Sequence, residues 1–169
     1  HVGALAEMLE AGFAGPIYAT AATFDIATMI VEDGLGIEGA STREIREFRT
    51  RLAALARRVR YDVPFQANGL TVTLHEAGHI LGSASVEVES ADARVLVSGD
   101  LGRPSSPLLR DFQTTWSAHK PFDLVVMEST YGDRSHPPLD DTARQLTAAV
   151  ERLHRRRRGK LLIPAFAVG

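Results

Sequence analysis

Four short segments of the chain combine histidine and carboxylate side chains at points where predicted strands pass into loops. These segments are His75–His79, Ser98–Arg103, Glu128–Asp133 and the residue His1. Functional side chains concentrate in such loops because the scaffold beneath holds them in place. Imidazole and carboxylate groups, in a chain without cysteine, are the ligands that an oxygen- and nitrogen-ligated zinc or manganese site needs. Taken together, the four segments indicate a metal site.

Each of these residues also has an ordinary structural explanation. A histidine in a loop is usually only polar, an aspartate after a glycine commonly forms a turn, and a glutamate at a strand end caps a following turn. The glycines at positions 78, 82 and 99 favour the metal hypothesis, because they allow the tight backbone that turns side chains towards one point. The remaining histidines have no assigned role and are interpreted as surface or supporting residues: His75, His119, His136 and His154.

Hydrophobic periodicity predicts the elements that carry these loops. Helices are predicted around Leu5–Leu9, at Thr20–Glu32, from the capping box of Ser41 and Glu44 along an apolar stripe to Val59, and at Asp141–His154. Strands are predicted at Gly15–Ala19, Leu70–His75, Ser83–Glu89, Arg94–Val97, Leu124–Met127 and Lys160–Pro164. In the last helix, Leu146, Ala149, Val150 and Leu153 are expected to face inward. The pattern indicates a mixed α/β layered architecture, with a domain boundary at Asp133–Leu139.

Length and composition limit the class of protein. The chain has 169 residues, a formal net charge of -2 and 44% hydrophobic residues, which excludes a disordered chain and suits one domain or one domain with part of a second. No apolar run approaches the roughly 18 residues that span a bilayer, and no signal-peptide pattern is present. A start at His1 rather than Met and an end on Val168-Gly169 suggest that both ends are cut and that the parent is longer.

The near-zero total charge hides two basic blocks. Residues 41–60 carry seven Arg and two Glu, and residues 143–169 carry seven basic side chains and one acidic. Either block could contact a phosphate backbone. The run Arg155–Arg158 has a simpler alternative as a solvated helix end, where cations also suit the helix dipole.

Five co-linear motifs carry a resemblance to a known family: Gly15–Thr20, Ala77–Ala84, Ser98–Arg103, Glu128–Asp133 and Ile163–Gly169. In this order, they resemble the metallo-β-lactamase-fold RNA nucleases with a β-CASP domain, similar to bacterial and archaeal homologues of the mRNA 3′-processing endonuclease. The resemblance implies an α/β fold: a partial metallo-β-lactamase αββα sandwich at residues 1–138, lacking its N-terminal strands and first metal motif, and the truncated start of a β-CASP domain at residues 139–169.

The same resemblance implies a site with two zinc ions in the intact parent. His79 would bind the first zinc, His1 the second, and Asp100 would bridge both, while Glu128 would support proton transfer. Asp100 and Glu128 are thus the expected catalytic residues. The first two histidines and the aspartate of the family's opening motif are absent, as are the β-CASP histidines. We therefore expect this chain alone to bind zinc poorly and to have little or no nuclease activity.

The function implied for the parent is zinc-dependent hydrolysis of RNA phosphodiesters, as an endonuclease, a 5′-exonuclease or both. Two alternatives stay open: a small-molecule ester, thioester or lactam hydrolase of the same fold, and a non-catalytic RNA-binding scaffold. The resemblance also implies a cytoplasmic protein without a membrane partner, and leaves room for a homodimer of the parent.

Overall fold

The computed structural model describes residues 2–116, 120–166 and 168, which form two compact units. The first unit comprises the chain up to Glu128 together with Val168, and the second begins at Ser129. The predicted division into a metallo-β-lactamase part up to residue 138 and a β-CASP part after it stays a prediction. In the described part of the chain, no helix is long and apolar enough to cross a membrane.

The order of elements alternates helices and strands and then becomes a run of strands. The first unit contains α1 (Leu5–Glu10), β1 (Ile17–Ala19), α2 (Ala21–Ile37), α3 (Thr42–Leu55), β2 (Ala56–Arg58), β3 (Phe65–Ala67), β4 (Leu70–Glu76), β5 (Ala84–Glu89), β6 (Arg94–Val97) and β7 (Leu124–Val126). The second unit contains α4 (Leu139–Arg156). These elements confirm the predicted mixed α/β class.

The strands form two sheets. Strands β1 and β2 pair in parallel, and a five-stranded sheet has the order β3-β4-β5-β6-β7. Its pairs are antiparallel except for β6 and β7, which run in parallel. Because Glu76 pairs with Ala84 and Val97 pairs with both Val86 and Val126, the C-terminal ends of β4, β6 and β7 lie at one edge. The register therefore places the three predicted functional loops at the same edge of the sheet.

The hydrophobic core of the first unit lies among its helices. It comprises Ala6, Leu9, Phe24, Val31, Phe48 and Leu52. The predicted capping box is confirmed: the Ser41 hydroxyl accepts from the amide of Glu44, and the Glu44 carboxylate accepts from the amide of Ser41. The prediction that the following helix reaches Val59 was wrong. The helix ends at Leu55, because the next three residues pair as β2 with β1.

The second helix was also predicted incorrectly, because it does not end before Gly34. It continues through Gly34 and Gly36 to Ile37. Val31 is buried and Leu35 packs against the helical core. Each glycine costs about 1 kcal/mol relative to alanine in a helix, and we attribute the continuation to the apolar packing that the extra turn provides.

Two expectations for the second unit were wrong. No strand is present at residues 160–164, and none of the described residues of this unit offers a strand with which that segment pairs. The apolar face of α4 is also only partly inward: Leu146 and Val150 are exposed, at 51% and 48%, whereas Ala149 and Leu153 are half-buried. An amphipathic pattern reveals which residues share a face, but a neighbour has to cover that face before it is buried.

Candidate metal centre

His79 and Asp100 come together at the edge of the five-stranded sheet. His79 lies in the loop between β4 and β5, and Asp100 follows β6. The Nε2 atom of His79 lies 3.9 Å from the Oδ2 atom of Asp100, and the two side chains are 45% and 42% exposed. The sequence-based prediction thus named two side chains that the fold brings next to each other, although they are far apart in the chain.

The donor pair has the chemistry of a zinc site. Zinc bonds of about 2.0–2.1 Å at a tetrahedral angle place two donor atoms about 3.3 Å apart. The observed 3.9 Å between His79 Nε2 and Asp100 Oδ2 is close to that value, and small side-chain rotations would close the difference because both side chains are partly exposed. The two residues therefore fit as two ligands of one zinc ion, and a tetrahedral site needs two more.

The loop that carries His79 is held by its own hydrogen bonds. The amides of His79 and Ile80 both donate to the Ser83 hydroxyl oxygen, at 3.0 and 3.2 Å. The amide of Gly78 donates to the Glu76 carboxylate at 3.0 Å. Gly78 has a φ of +61°, and a Cβ atom there would lie 2.5 Å from the Arg110 carbonyl oxygen. Only glycine fits this conformation without displacing the neighbouring segment.

The loop that carries Asp100 is held by Glu128. The Glu128 carboxylate accepts from the amide of Leu101, the residue after Asp100, at 2.7 Å. The Ser98 hydroxyl oxygen in turn accepts from the amide of Glu128 at 3.1 Å. The amide of Gly102 donates to the Ala77 carbonyl at 2.8 Å, which joins this loop to that of His79. Glu128 thus lies beside the candidate ligands, with one carboxylate oxygen bonded to the backbone of the Asp100 loop.

His1, the other predicted zinc ligand, lies outside the described residues. Within the described part of the chain, no group of three or more His, Cys, Asp or Glu side chains is arranged to hold a metal ion. The metal-binding roles of His1, His79 and Asp100, and the catalytic roles of Asp100 and Glu128, stay predictions.

Sequence reasoning missed a buried charge network on the same sheet. His75, interpreted above as a surface or supporting residue, is only 9% exposed. Its Nδ1 atom lies 2.8 Å from Asp62 Oδ1, and its Nε2 atom lies 2.9 Å from Glu87 Oε2. Arg94 Nε donates to the other Glu87 oxygen at 2.7 Å.

The electrostatics of this network favour an ionised Glu87. Burial alone would raise the pKa of Glu87, but hydrogen bonds from Arg94 and His75 outweigh it and hold the pKa below its ordinary value. The ring of Trp116 meets His75 edge-on, with centroids 4.8 Å apart. Trp116 comes from a loop distant in sequence, so the local pattern around His75 contains no signal that this face of the strand is covered.

Known proteins are similar to this chain over nearly its whole length. It is 34% identical over 168 residues to ribonuclease TTHA0252 of Thermus thermophilus, covering 99% of this chain and 38% of the relative. It is 30% identical over 161 residues to cleavage and polyadenylation specificity factor subunit 3 of Dictyostelium discoideum, covering 93% and 20%. It is 31% identical over 180 residues to transcription termination factor FttA of Methanothermobacter thermautotrophicus, covering 100% and 27%. No family model matches the chain.

These similarities confirm the predicted resemblance. The mixed α/β fold is consistent with a partial metallo-β-lactamase fold, which is the fold of these homologues. The chain is homologous to these proteins, which are metallo-β-lactamase-fold RNA nucleases with a β-CASP domain. It spans between a fifth and two fifths of the length of the three relatives named.

Proposed function

We propose that the whole protein hydrolyses RNA phosphodiesters at a zinc centre to which this chain contributes His79 and Asp100. The observation that supports this most directly is the 3.9 Å approach of the His79 imidazole to the Asp100 carboxylate. The name of the relative from Thermus thermophilus, a ribonuclease, supports RNA as the substrate. The proposal includes two zinc ions, with His1 as a ligand of the second.

The residues of this chain would hold the zinc ions and orient the loops that carry the ligands. Bound zinc lowers the pKa of water to roughly 7 and stabilises the charge that develops on the phosphate. His79 would hold zinc through a ring nitrogen, and Asp100 would hold it through its carboxylate. Glu128, through its bond to the Leu101 amide, keeps the backbone beside Asp100 in place. We also propose that Glu128 supports proton transfer at this edge.

RNA would be held in part by the basic end of α4. The last turn of α4 contains His154, Arg155 and Arg156, and exposed Arg158 and Lys160 follow. Arg155 pairs with Glu151 at 3.0 Å. The other basic side chains of this segment are exposed to solvent. Phosphate neutralisation by such cations is independent of base sequence, so this surface would contribute affinity without choosing a sequence.

The experiment compares the whole protein with two variants on a labelled single-stranded RNA in the presence of zinc. Asp100→Asn is expected to reduce cleavage by at least about 100-fold, because it removes a carboxylate that holds and bridges the metal. Asp92→Asn is the matched control, because Asp92 is exposed in the hairpin at the opposite end of β6. Equal cleavage by the wild type and the Asp100 variant would refute the proposed site.

Assays on the same protein distinguish the alternative functions and substrates. Turnover of a lactone or thioester without RNA cleavage would identify the small-molecule hydrolase, and RNA binding without cleavage would identify the scaffold. DNA of the same sequence separates RNA from DNA as substrate. The division at residues 138 and 139, the cytoplasmic location and the homodimer are further parts of the proposal.

A further inference from the structure

The loop that carries His79 is fastened to the N-terminus of α2. The Thr23 hydroxyl donates to the Gly82 carbonyl at 2.7 Å, and the Thr20 hydroxyl lies 3.2 Å from the same oxygen. These bonds connect residues about sixty positions apart in sequence. The shorter bond is the one from Thr23, so the Thr23 hydroxyl is the principal donor to this carbonyl.

The contact continues from Gly82 to the backbone of His79. The next residue, Ser83, accepts the amides of His79 and Ile80 on its hydroxyl oxygen. Its carbonyl accepts from the Tyr61 hydroxyl at 2.8 Å. Burial raises the pKa of Tyr61 to about 12, so this hydroxyl keeps its donor proton throughout the neutral range. Ser83 is thus held from both sides while it holds the turn that presents His79.

The close approach of the loop to the helix depends on Gly82. Its φ is +89°, and a Cβ atom there would lie 2.7 Å from the Thr23 amide nitrogen and 2.8 Å from the hydroxyl oxygens of Thr20 and Thr23. A side chain would therefore push the loop away from α2. Helix formation does not itself need the Thr23 hydroxyl, because the N-cap of α2 is Thr20, which accepts from the Thr23 amide.

We propose that Thr23 is a positioning residue for His79, acting through the Gly82 carbonyl and Ser83 to hold the imidazole where it meets Asp100. This inference rests on the proposed metal function, and it extends that function to a residue on a helix that carries none of the expected ligands. Orienting groups of this kind typically change metal affinity by about 10- to 100-fold when they are removed.

The test compares three variants of the whole protein. Thr23→Val removes the hydroxyl and keeps the shape of the side chain, whereas Thr23→Ser keeps the hydroxyl. Thr28→Val is the matched control, because Thr28 lies on the same helix and its hydroxyl donates to the Phe24 carbonyl of that helix. Hydrogen exchange of the His79 and Ile80 amides reports on the loop. Zinc titration followed by the His79 imidazole resonance reports on the ligand, and urea unfolding reports on global stability.

Thr23→Val is expected to speed exchange of the His79 and Ile80 amides by about three- to tenfold, the effect of losing one net hydrogen bond. It should also weaken zinc binding at His79 by about tenfold or more. Thr23→Ser should restore both, and Thr28→Val should change neither. Unchanged exchange, or faster exchange with unchanged zinc affinity, would overturn the positioning role. If the His79 resonance does not respond to zinc in the unsubstituted whole protein, the metal site itself is refuted.

Discussion

Replacing Arg94 by methionine tests whether the buried charge network supports the sheet that carries the candidate site. The Arg94 side chain is only 6% exposed, and that of its partner Glu87 is 12% exposed. The Arg94 guanidinium also lies 4.1 Å above the ring centroid of Phe122 and donates to the Lys120 carbonyl. Methionine keeps most of the apolar stem but leaves the Glu87 carboxylate without its charged partner.

The expected loss follows from that burial. Removing one partner of a buried ion pair costs about 3–5 kcal/mol, because the other charge stays desolvated. Glu87 keeps its hydrogen bond to His75 at 2.9 Å, which places the expected loss near the lower figure, about 3 kcal/mol. For a chain of this size, about 2–4 °C of melting temperature is lost per kcal/mol. We therefore expect the melting temperature to fall by about 6–12 °C.

Unfolding in urea and by heat, followed by circular dichroism, measures the effect. The matched control is Arg43→Met, which breaks an ion pair with Glu47 between side chains that are 84% and 61% exposed and should cost about 0.2–1 kcal/mol. The double variant Arg94→Met with Glu87→Gln should recover part of the loss, since it removes the unpaired charge. A loss from Arg94→Met no larger than that from Arg43→Met would refute the reasoning.

Three further predictions concern pH, backbone and charge. Because the pKa of Glu87 is lowered in the fold, the stability from its ionised form is present above about pH 4.5 and is lost as the pH falls through the folded pKa. In Glu87→Gln, the free energy of unfolding should therefore fall less steeply as the pH is lowered than it does in the wild type. An unchanged dependence on pH would contradict this. Gly82→Ala should lower the free energy of unfolding in urea by more than Gly39→Ala does. Both glycines have φ near +90°, but only Gly82 has Thr23 within 3 Å of the added carbon. Equal losses in the two variants would refute the steric argument. In the whole protein, Arg156→Gln should reduce the steepness of log affinity for single-stranded RNA against log salt concentration by about 0.7. An unchanged slope would show that Arg156 does not contact the RNA.

The candidate ligands could be found from the sequence because their signal is local. Histidine and aspartate beside glycines at strand ends are readable in a few consecutive residues, as is the capping box of Ser41 and Glu44. Alternation predicted β4 and β5 to within one residue at one end, and a short apolar run predicted β6. The motifs that indicated the family are short segments of the same kind.

What local patterns did not determine depends on partners distant in the chain. The helix before β2 stops at Leu55 because β1 pairs with the residues that follow, and α2 continues through two glycines beside Leu35, which packs against the core. His75 is buried because Trp116 covers it. The sequence by itself determined the fold class and the residue types of the site. Only the tertiary structure decided that His79 meets Asp100 and that the Thr23 hydroxyl bonds to the loop that carries His79, since contacts between residues distant in the chain leave no local period.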